Sequence, residues 1–238
     1  MDMVSPLTDR HVTLNSGHDM PLVGLGCSKI FLQYGQLADE SIVSVILDAL
    51  GSGYRLFDCS PGWANEPAVG KALTQWCSTA GNTRDQLFVV TKLPPYGNRP
   101  EDVEKHLRAS LNDLQLDYVD LFLVHMPFGL KRKVGDSSSD IGNMQMDFST
   151  DHIAIWKMME TMVELGLTKS IGLSNFGIRQ IRKICAVAKI LPAVVEVELH
   201  GNLQQKAMIE LCSTHNIQLL GFAPFGSPHK ASMIMKNS

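Results

Sequence analysis

Apolar runs and amphipathic segments alternate along this chain with a period of roughly thirty residues. Each apolar run is bounded by turn-forming residues and predicts a buried strand, and each amphipathic segment repeats its apolar residues at helical spacing. The clearest helix is 39–51, where Val43, Ile46 and Leu50 share one face. The predicted pairs of strand and helix are 23–27 with 39–51, 55–59 with 66–77, 87–93 with 100–114, 119–125 with 152–165, 170–173 with 178–188 and 194–199 with 204–215, followed by a last strand at 218–222.

Repeated strand–helix units predict an α/β fold with parallel strands, because parallel neighbours need a crossover helix. The pattern gives seven strands and six helices, whereas a closed (β/α)8 TIM-type barrel has eight of each. We therefore expect an incomplete barrel without its last helix–strand–helix portion, forming a single domain over 1–238. A β-hairpin is predicted at 12–22 around Asn15-Ser16-Gly17, and a long polar loop on the substrate side at 127–151.

Composition excludes several classes of protein. The chain has 238 residues, of which 45% are hydrophobic and 19% charged, so it can bury a large core. A net charge of −3 without a block of like charges argues against nucleic acid, and the basic cluster at 131–133 is interpreted as a solvated loop. No apolar run is long enough for a signal peptide or a membrane span, which predicts a cytosolic location. Five cysteines without a CxxC pair favour free thiols over disulfides or a metal site.

Three ionisable residues stand at the ends of predicted strands. They are Asp58 in FDCSPGWANE, Lys92 in FVVTKLPP and His125 in LFLVHMPF. Taken singly, each has a structural interpretation as a cap, an ion-pair partner or a buried histidine. A parallel barrel, however, brings the carboxyl ends of its strands to one face, so the three predict a common site.

These segments resemble the aldo-keto reductase superfamily. RLFDCSPGWANEPAVGKAL is similar to its DxAxxYxNExxVG signature, and VTKLP, LVHMP and IGLSNF are similar to its lysine, histidine and cofactor-amide motifs, over residues 12–226. The resemblance implies carbonyl reduction with NADP(H), in which the cofactor gives a hydride and a tyrosine gives a proton within an Asp-Tyr-Lys-His tetrad. Asp58, Lys92 and His125 match three of the four, and Trp63 stands where the family has tyrosine.

Trp63 changes the expected chemistry. A phenol beside a lysine can donate a proton to a developing alkoxide, whereas an indole N–H donates a hydrogen bond but gives up its proton far too reluctantly. Positioned acid catalysis is typically worth about 10²–10⁴ in rate, so we expect at least that loss. Tyr96 in the following PPYGN turn is an alternative phenol, although a tyrosine on the surface of the turn is the preferred interpretation.

The resemblance also implies cofactor and substrate contacts. Ser174 and Asn175 match the pair that binds the nicotinamide carboxamide, and Phe222 matches the aromatic residue that stacks on the ring. Glu196 replaces the family's usual glutamine and lacks its amide donor. Substrate contacts are assigned to Ser28, where the family commonly has tryptophan, and to Phe128, and a pyrophosphate contact is assigned to Ser227.

Three interpretations of function remain open at this stage. The first is an aldo-keto reductase-like enzyme with impaired activity, which binds NADP(H) weakly because the family's basic segment for the 2′-phosphate has no match here. The second is a non-catalytic nicotinamide-nucleotide-binding or interaction protein, and the third is an incomplete gene product. An open barrel would expose two strand edges, which predicts self-association beside the small carbonyl substrate as partner.

Overall fold

The structure is a computed structural model and describes residues 9–28, 39–132 and 144–226, in which eleven strands and six α-helices are present. An antiparallel hairpin comes first, with β1 (His11–Thr13) paired to β2 (Asp19–Pro21). Gly17 in its turn has φ 82°, a conformation that glycine adopts without a steric penalty. The predicted hairpin is confirmed.

The remaining strands follow the predicted alternation with helices. In chain order the strands are β3 (Gly24–Gly26), β4 (Leu56–Asp58), β5 (Phe88–Leu93), β6 (Val119–Val124), β7 (Gly129–Arg132), β8 (Met144–Asp147), β9 (Thr168–Ser174), β10 (Val194–Glu198) and β11 (Gln218–Phe222). The helices are α1 (Asp39–Gly51), α2 (Glu66–Cys77), α3 (Val103–Leu114), α4 (His152–Glu164), α5 (Ile178–Cys185) and α6 (Lys206–Thr214).

Seven of these strands form one parallel sheet that curves into a nearly closed barrel. Their order is β3-β4-β5-β6-β9-β10-β11, which follows the chain and places each strand beside the next one. Within the described residues, β3 and β11 pair on one side only. The incomplete (β/α)8 barrel is therefore confirmed, with the predicted seven strands.

Burial follows from this architecture. Every residue of β5 and of β6 is buried, because one face of each strand meets the barrel interior and the other meets the helices. Phe57, Phe122 and Trp156 belong to the larger apolar layer beneath the helices, whereas Leu56 and Leu121 belong to the smaller layer inside the barrel. These two layers hold the strand ends in fixed positions.

Helices α2 and α3 pack unusually closely where the signature motif ends. A Cβ added at Gly70 of α2 would lie 2.6 Å from the backbone of Asp113 and Leu114. No side chain fits in that space, so glycine permits the close approach of the two helices. This packing fixes α2, whose first residues follow the Trp63 turn directly.

The predicted loop at 127–151 needs a correction. Its described ends form an antiparallel pair, β7 with β8, so the segment is not irregular throughout. The buried Asp147 of β8 accepts hydrogen bonds from Arg99 Nη2 at 2.6 Å and from Ser149 Oγ at 2.6 Å. Lys131, the first residue of the basic cluster, also lies near this carboxylate, with Nζ 3.6 Å from Oδ1. The sequence did not predict β7 and β8 because their residues are largely polar and lack the apolar pattern by which the other strands were recognised.

Helices α1 and α2 have the predicted bounds, and the other four differ from theirs by one to three residues at an end. The predicted helix at 100–114 begins with a 3₁₀ turn, Pro100–Asp102, before α3, and the predicted helix at 178–188 ends at Cys185. Across the parts of the chain given above, no helix combines the length and the apolar character that crossing a membrane requires.

Candidate active site

The three ionisable strand-end residues lie together at one end of the barrel. Asp58 is the last residue of β4, Lys92 lies in β5, and His125 directly follows β6. Lys92 Nζ donates a hydrogen bond to Asp58 Oδ1 and another to the carbonyl of Cys59, the latter at 3.3 Å. The convergence expected from parallel strands is thus present in the fold.

Lys92 is a buried cation with more than one anionic neighbour. Only 1% of the residue is exposed, and its Nζ lies 3.3 Å from Glu196 Oε2 as well as beside Asp58. Burial disfavours the ammonium, but the attraction of Asp58 and Glu196 outweighs burial, so the pKa of Lys92 is raised. Lys92 therefore stays charged across the physiological range.

The two carboxylates respond differently to this environment. Burial raises the pKa of Asp58, and the charge of Lys92 offsets the rise only in part. Burial likewise raises the pKa of Glu196, to about 7, with Lys92 opposing the rise and Asp58 adding to it. Glu196 Oε2 is buried and has no hydrogen-bond partner among the described residues. The site thus holds one carboxylate that is hydrogen-bonded to Lys92 and one whose pKa lies near neutrality.

His125 is a neutral imidazole held by a serine. Burial and the nearby Lys92 lower the pKa of His125 to about 4. Ser60 Oγ lies 3.1 Å from His125 Nδ1 and accepts a hydrogen bond from Gly62 N at 3.3 Å. A Ser60 O–H that donates to Nδ1 fits this contact, and in that arrangement the neutral ring carries its proton on Nε2. His125 therefore presents an N–H donor rather than a cation.

Trp63 lies between the lysine and the histidine. It ends a short 3₁₀ helix, Pro61–Trp63, whose N-cap is Ser60. Lys92 Nζ lies 4.8 Å from the centroid of the indole ring, and the ring meets His125 edge-on with centroids 6.2 Å apart. The position that resembles the family's tyrosine is thus inside the cluster, and an aromatic face covers the cation there.

The residues assigned to a nicotinamide lie on the neighbouring strands. Ser174 ends β9 and accepts a hydrogen bond from Asn175 Nδ2 at 3.1 Å, and the same amide donates to the carbonyl of His125 at 3.0 Å. Asn175 has φ 64°, a left-handed conformation that asparagine tolerates better than most residues. Phe222 ends β11 and is half-buried. The pair and the aromatic ring thus flank the strand that carries Glu196.

A cleft of about 400 Å³ opens between β3 and β11. Asp58, Glu196 and Phe222 line it, together with apolar residues of the two edge strands. The cleft therefore connects the charged cluster with the space outside the barrel.

The remaining sequence-assigned residues have varied positions. Ser28 and Phe128 are half-buried, and the carbonyl of Phe128 accepts a hydrogen bond from Asn98 Nδ2 at 2.7 Å. Ser227 lies outside the described residues. The ring of Tyr96 packs edge-on against His106 of α3, with centroids 5.4 Å apart, which supports the turn interpretation rather than a second phenol in the cluster.

Two positioning residues escaped the sequence analysis. Ser60 orients His125, and Asn65 Nδ2 donates a hydrogen bond to the carbonyl of Cys27, which ties the start of α2 to the end of β3. The neighbouring Cys27 thiol and burial raise the pKa of Cys59 well above its usual range, so Cys59 adds no charge beside Lys92. Ser60 lies two residues after Asp58, and Asn65 lies two residues after Trp63 and matches the asparagine of the signature motif, so their place in the motif was the available signal.

A barrel with an Asp-Lys-His cluster at the carboxyl ends of its strands has the architecture of a barrel oxidoreductase. The profile of the Aldo/keto reductase family matches residues 22–231, and the chain belongs to this family. It is 43% identical over 223 residues to aldo-keto reductase family 1 member A1 of Xenopus tropicalis, which covers 92% of this chain and 65% of that protein. The human protein of the same name is 39% identical over 224 residues, covering 92% and 66%.

Solved structures show the same relationship. The aldose reductase of Schistosoma japonicum superimposes with a TM-score of 0.82 at 33% identity, covering 91% of this chain and 70% of that one. A Bombyx mori aldo-keto reductase, solved in complex with NADP, gives a TM-score of 0.80 at 29% identity, covering 92% and 67%. This chain spans slightly less than two thirds of the length of the Xenopus relative.

Proposed function

We propose that this chain binds NADP(H) in the cytosol and reduces small aldehydes or ketones slowly, with Trp63 as the cause of the low rate. The proposal is supported by membership of the Aldo/keto reductase family and by the Bombyx relative that binds NADP. Its central observation is the indole of Trp63 above Lys92, inside an otherwise matched cluster of Asp58, Lys92 and His125.

The residues present fit a nicotinamide with its carboxamide. Asn175 Nδ2 already donates within the protein, which leaves its Oδ1 to accept from a carboxamide N–H, while Ser174 offers its own O–H as a donor. Phe222 supplies an aromatic face on the cleft, and the buried Oε2 of Glu196 is an acceptor in need of a partner. When bound, the reduced nicotinamide supplies the hydride.

The chain's own residues stabilise the product of that transfer in part. His125, neutral and protonated on Nε2 through its contact with Ser60, donates a hydrogen bond to the carbonyl oxygen. Lys92 adds positive charge from beneath the indole ring, and Asp58 holds the lysine in place. The indole of Trp63 holds its proton too tightly to act as an acid near pH 7, and His125, with a pKa of about 4, is already neutral there and has no imidazolium proton to give. Water must therefore deliver the proton. The carbonyl group is therefore polarised for hydride transfer, but no acidic side chain of the cluster protonates its oxygen.

A second function has its own supporting observation. The indole ring of Trp63 lies over the ammonium group of Lys92. The ring therefore occupies the space beside this cation through which a carbonyl oxygen would approach. A protein of this kind binds the nucleotide without turning it over.

Binding and turnover separate the two functions. NADPH is titrated into the purified chain by its fluorescence, and its consumption is then followed with a reactive aldehyde. Binding with slow turnover that Lys92→Met abolishes supports the enzyme, and the variant must still bind NADPH for the comparison to hold. Binding without turnover favours the binding protein, and failure to bind NADPH rejects both proposals.

A further inference from the structure

Glu196 is the least satisfied charged side chain of the cluster. It lies in β10 with 3% of its surface exposed, and its Oε2 has no hydrogen-bond partner within the described part of the chain. The oxygen lies 3.3 Å from Lys92 Nζ, and the residue lines the cleft between β3 and β11. Lys92, the cationic partner of this oxygen, is shared with Asp58, so a ligand that supplies a further donor or a positive charge would stabilise the buried carboxylate.

The cluster around Glu196 contains two carboxylates but one lysine. Lys92 on β5 faces it, and Asp58 on β4 already forms a hydrogen-bonded ion pair with that lysine. Its neighbours on the adjoining strands, Ser174 on β9 and Leu220 on β11, are uncharged. Further along β10, Glu198 lies 3.3 Å from His200 and has a partner of its own. When Glu196 ionises, the cluster therefore carries a net negative charge.

The nicotinamide residues adjoin Glu196 directly. Ser174 is its partner in the β9–β10 register, and Asn175 N donates a hydrogen bond to the backbone carbonyl of Glu196 at 2.9 Å. A ring whose carboxamide contacts the Ser174–Asn175 pair would therefore lie beside the Glu196 carboxyl group. The charge of that carboxyl group acts on the ring through a buried, weakly screened environment.

The oxidised nicotinamide ring carries a positive charge, and the reduced ring carries none. We propose that Glu196 makes this site prefer the oxidised form of the cofactor, and that the preference increases as the pH rises. The inference rests on the proposed function, since it requires that the chain binds NADP(H). It assigns to Glu196 the role of selecting the redox state of the cofactor that the site binds.

Thermodynamic linkage gives the sign of the effect. Burial raises the pKa of Glu196 to about 7, so its charge changes within an accessible pH range. A positively charged ring favours the ionised form and a neutral ring favours the protonated form, so each equilibrium shifts the other by the same factor. A difference of one pKa unit between the two complexes corresponds to about a tenfold change in relative affinity.

The test compares the affinities for NADPH and NADP⁺ at pH 6, 7 and 8. NADPH binding is followed by its fluorescence, and NADP⁺ binding by its displacement of NADPH. The 2′-phosphate also titrates in this range, with a pKa of about 6, but it is common to both forms and cancels in the ratio of dissociation constants. We expect the ratio of Kd for NADPH to Kd for NADP⁺ to rise about tenfold from pH 6 to pH 8.

Two variants make the result specific. Glu196→Gln keeps the shape of the side chain and should give a ratio independent of pH, whereas Glu104→Gln, on an exposed face of α3 beside Arg108, should behave as the unmodified protein. A flat ratio in the unmodified chain, or the same rise in Glu196→Gln, overturns the inference while leaving the proposed function intact. If neither nucleotide binds, the proposed function fails and this inference fails with it.

Discussion

Lys92 Nζ lies 4.8 Å from the centroid of the Trp63 ring, so the cation of this site faces an indole rather than a phenol. A cation above an aromatic face is stabilised by about 0.5–2 kcal/mol. That contact holds the lysine and the tryptophan together but transfers no proton. The chemistry of the site therefore depends on whether the ring at this position can release a proton.

Replacing Trp63 with tyrosine should restore an acid next to Lys92. We expect Trp63→Tyr to raise aldehyde reduction by about 10²-fold or more, the usual effect of a positioned acid, as measured by NADPH consumption. Adding Lys92→Met should remove the gain, because the phenol then loses the cation that favours its anion.

Trp76→Tyr is the matched control, because this tryptophan lies in α2 against Arg55 and away from the cluster. Its activity should equal that of the unmodified chain. If Trp63→Tyr binds NADPH and shows no gain, the cluster is not assembled for catalysis and the binding protein becomes the better proposal.

Ser60→Ala should release His125 from a single tautomer. We expect the unmodified chain to carry the proton on Nε2, with the Ser60 hydroxyl donating to Nδ1, which lies 3.1 Å away. Nitrogen NMR of the imidazole should therefore show one tautomer before the change and a mixture after it. Loss of the buried contact should also lower the free energy of unfolding by about 1–3 kcal/mol. An unchanged NMR spectrum would mean that Ser60 does not orient the ring.

Glu196 should make the stability of the protein depend on pH. Its pKa is about 7 in the folded protein against an ordinary value of 4.5, so the folded state binds the proton more tightly than the unfolded state. The contribution of Glu196 to the free energy of unfolding is therefore most favourable below about pH 4.5, and it is lost as the pH rises to about 7. The slope of this loss is at most about 1.4 kcal/mol per pH unit.

Denaturant unfolding of the unmodified chain and of Glu196→Gln between pH 4.5 and 8 measures this contribution. The difference between the two removes the opposite effect of His125, whose pKa of about 4 destabilises the fold in acid. A difference in stability that does not change with pH would show that Glu196 is not a buried titrating group.

The edges β3 and β11 should promote self-association. Each pairs on one side only within the described residues, and Phe225, three residues after the end of β11, is 89% exposed. Unpaired strand edges bind other strands, and a charge beside an edge discourages this. Light scattering should show a mass above that of a monomer, which Phe225→Lys reduces.

Phe148→Lys is the control for this prediction. Phe148 is equally exposed but follows β8, away from the barrel edges. A stable monomer at all concentrations, or equal effects of the two lysine variants, would contradict association through the β11 edge.

The alternation of apolar and amphipathic segments was enough to predict the seven strands, the six helices and the strand ends that carry Asp58, Lys92 and His125. Such local periodicity reports burial on each face of a segment, and parallel strands place their ends together without further information. The bounds of α1 and α2 coincide with the predicted ones for the same reason. The sequence also determined that an indole stands at the position that resembles the family's tyrosine.

Only the tertiary structure decided which groups meet. The contact of Glu196 with Lys92 crosses the barrel, and that of Ser60 with His125 joins the ends of two strands, so neither leaves a periodic trace in the sequence. The pairing of β7 with β8 escaped prediction because it depends on polar contacts to Asp147 rather than on an apolar face. Likewise, the pKa of Glu196 is set by desolvation and by charges brought close in space, and those quantities exist only once the chain has folded.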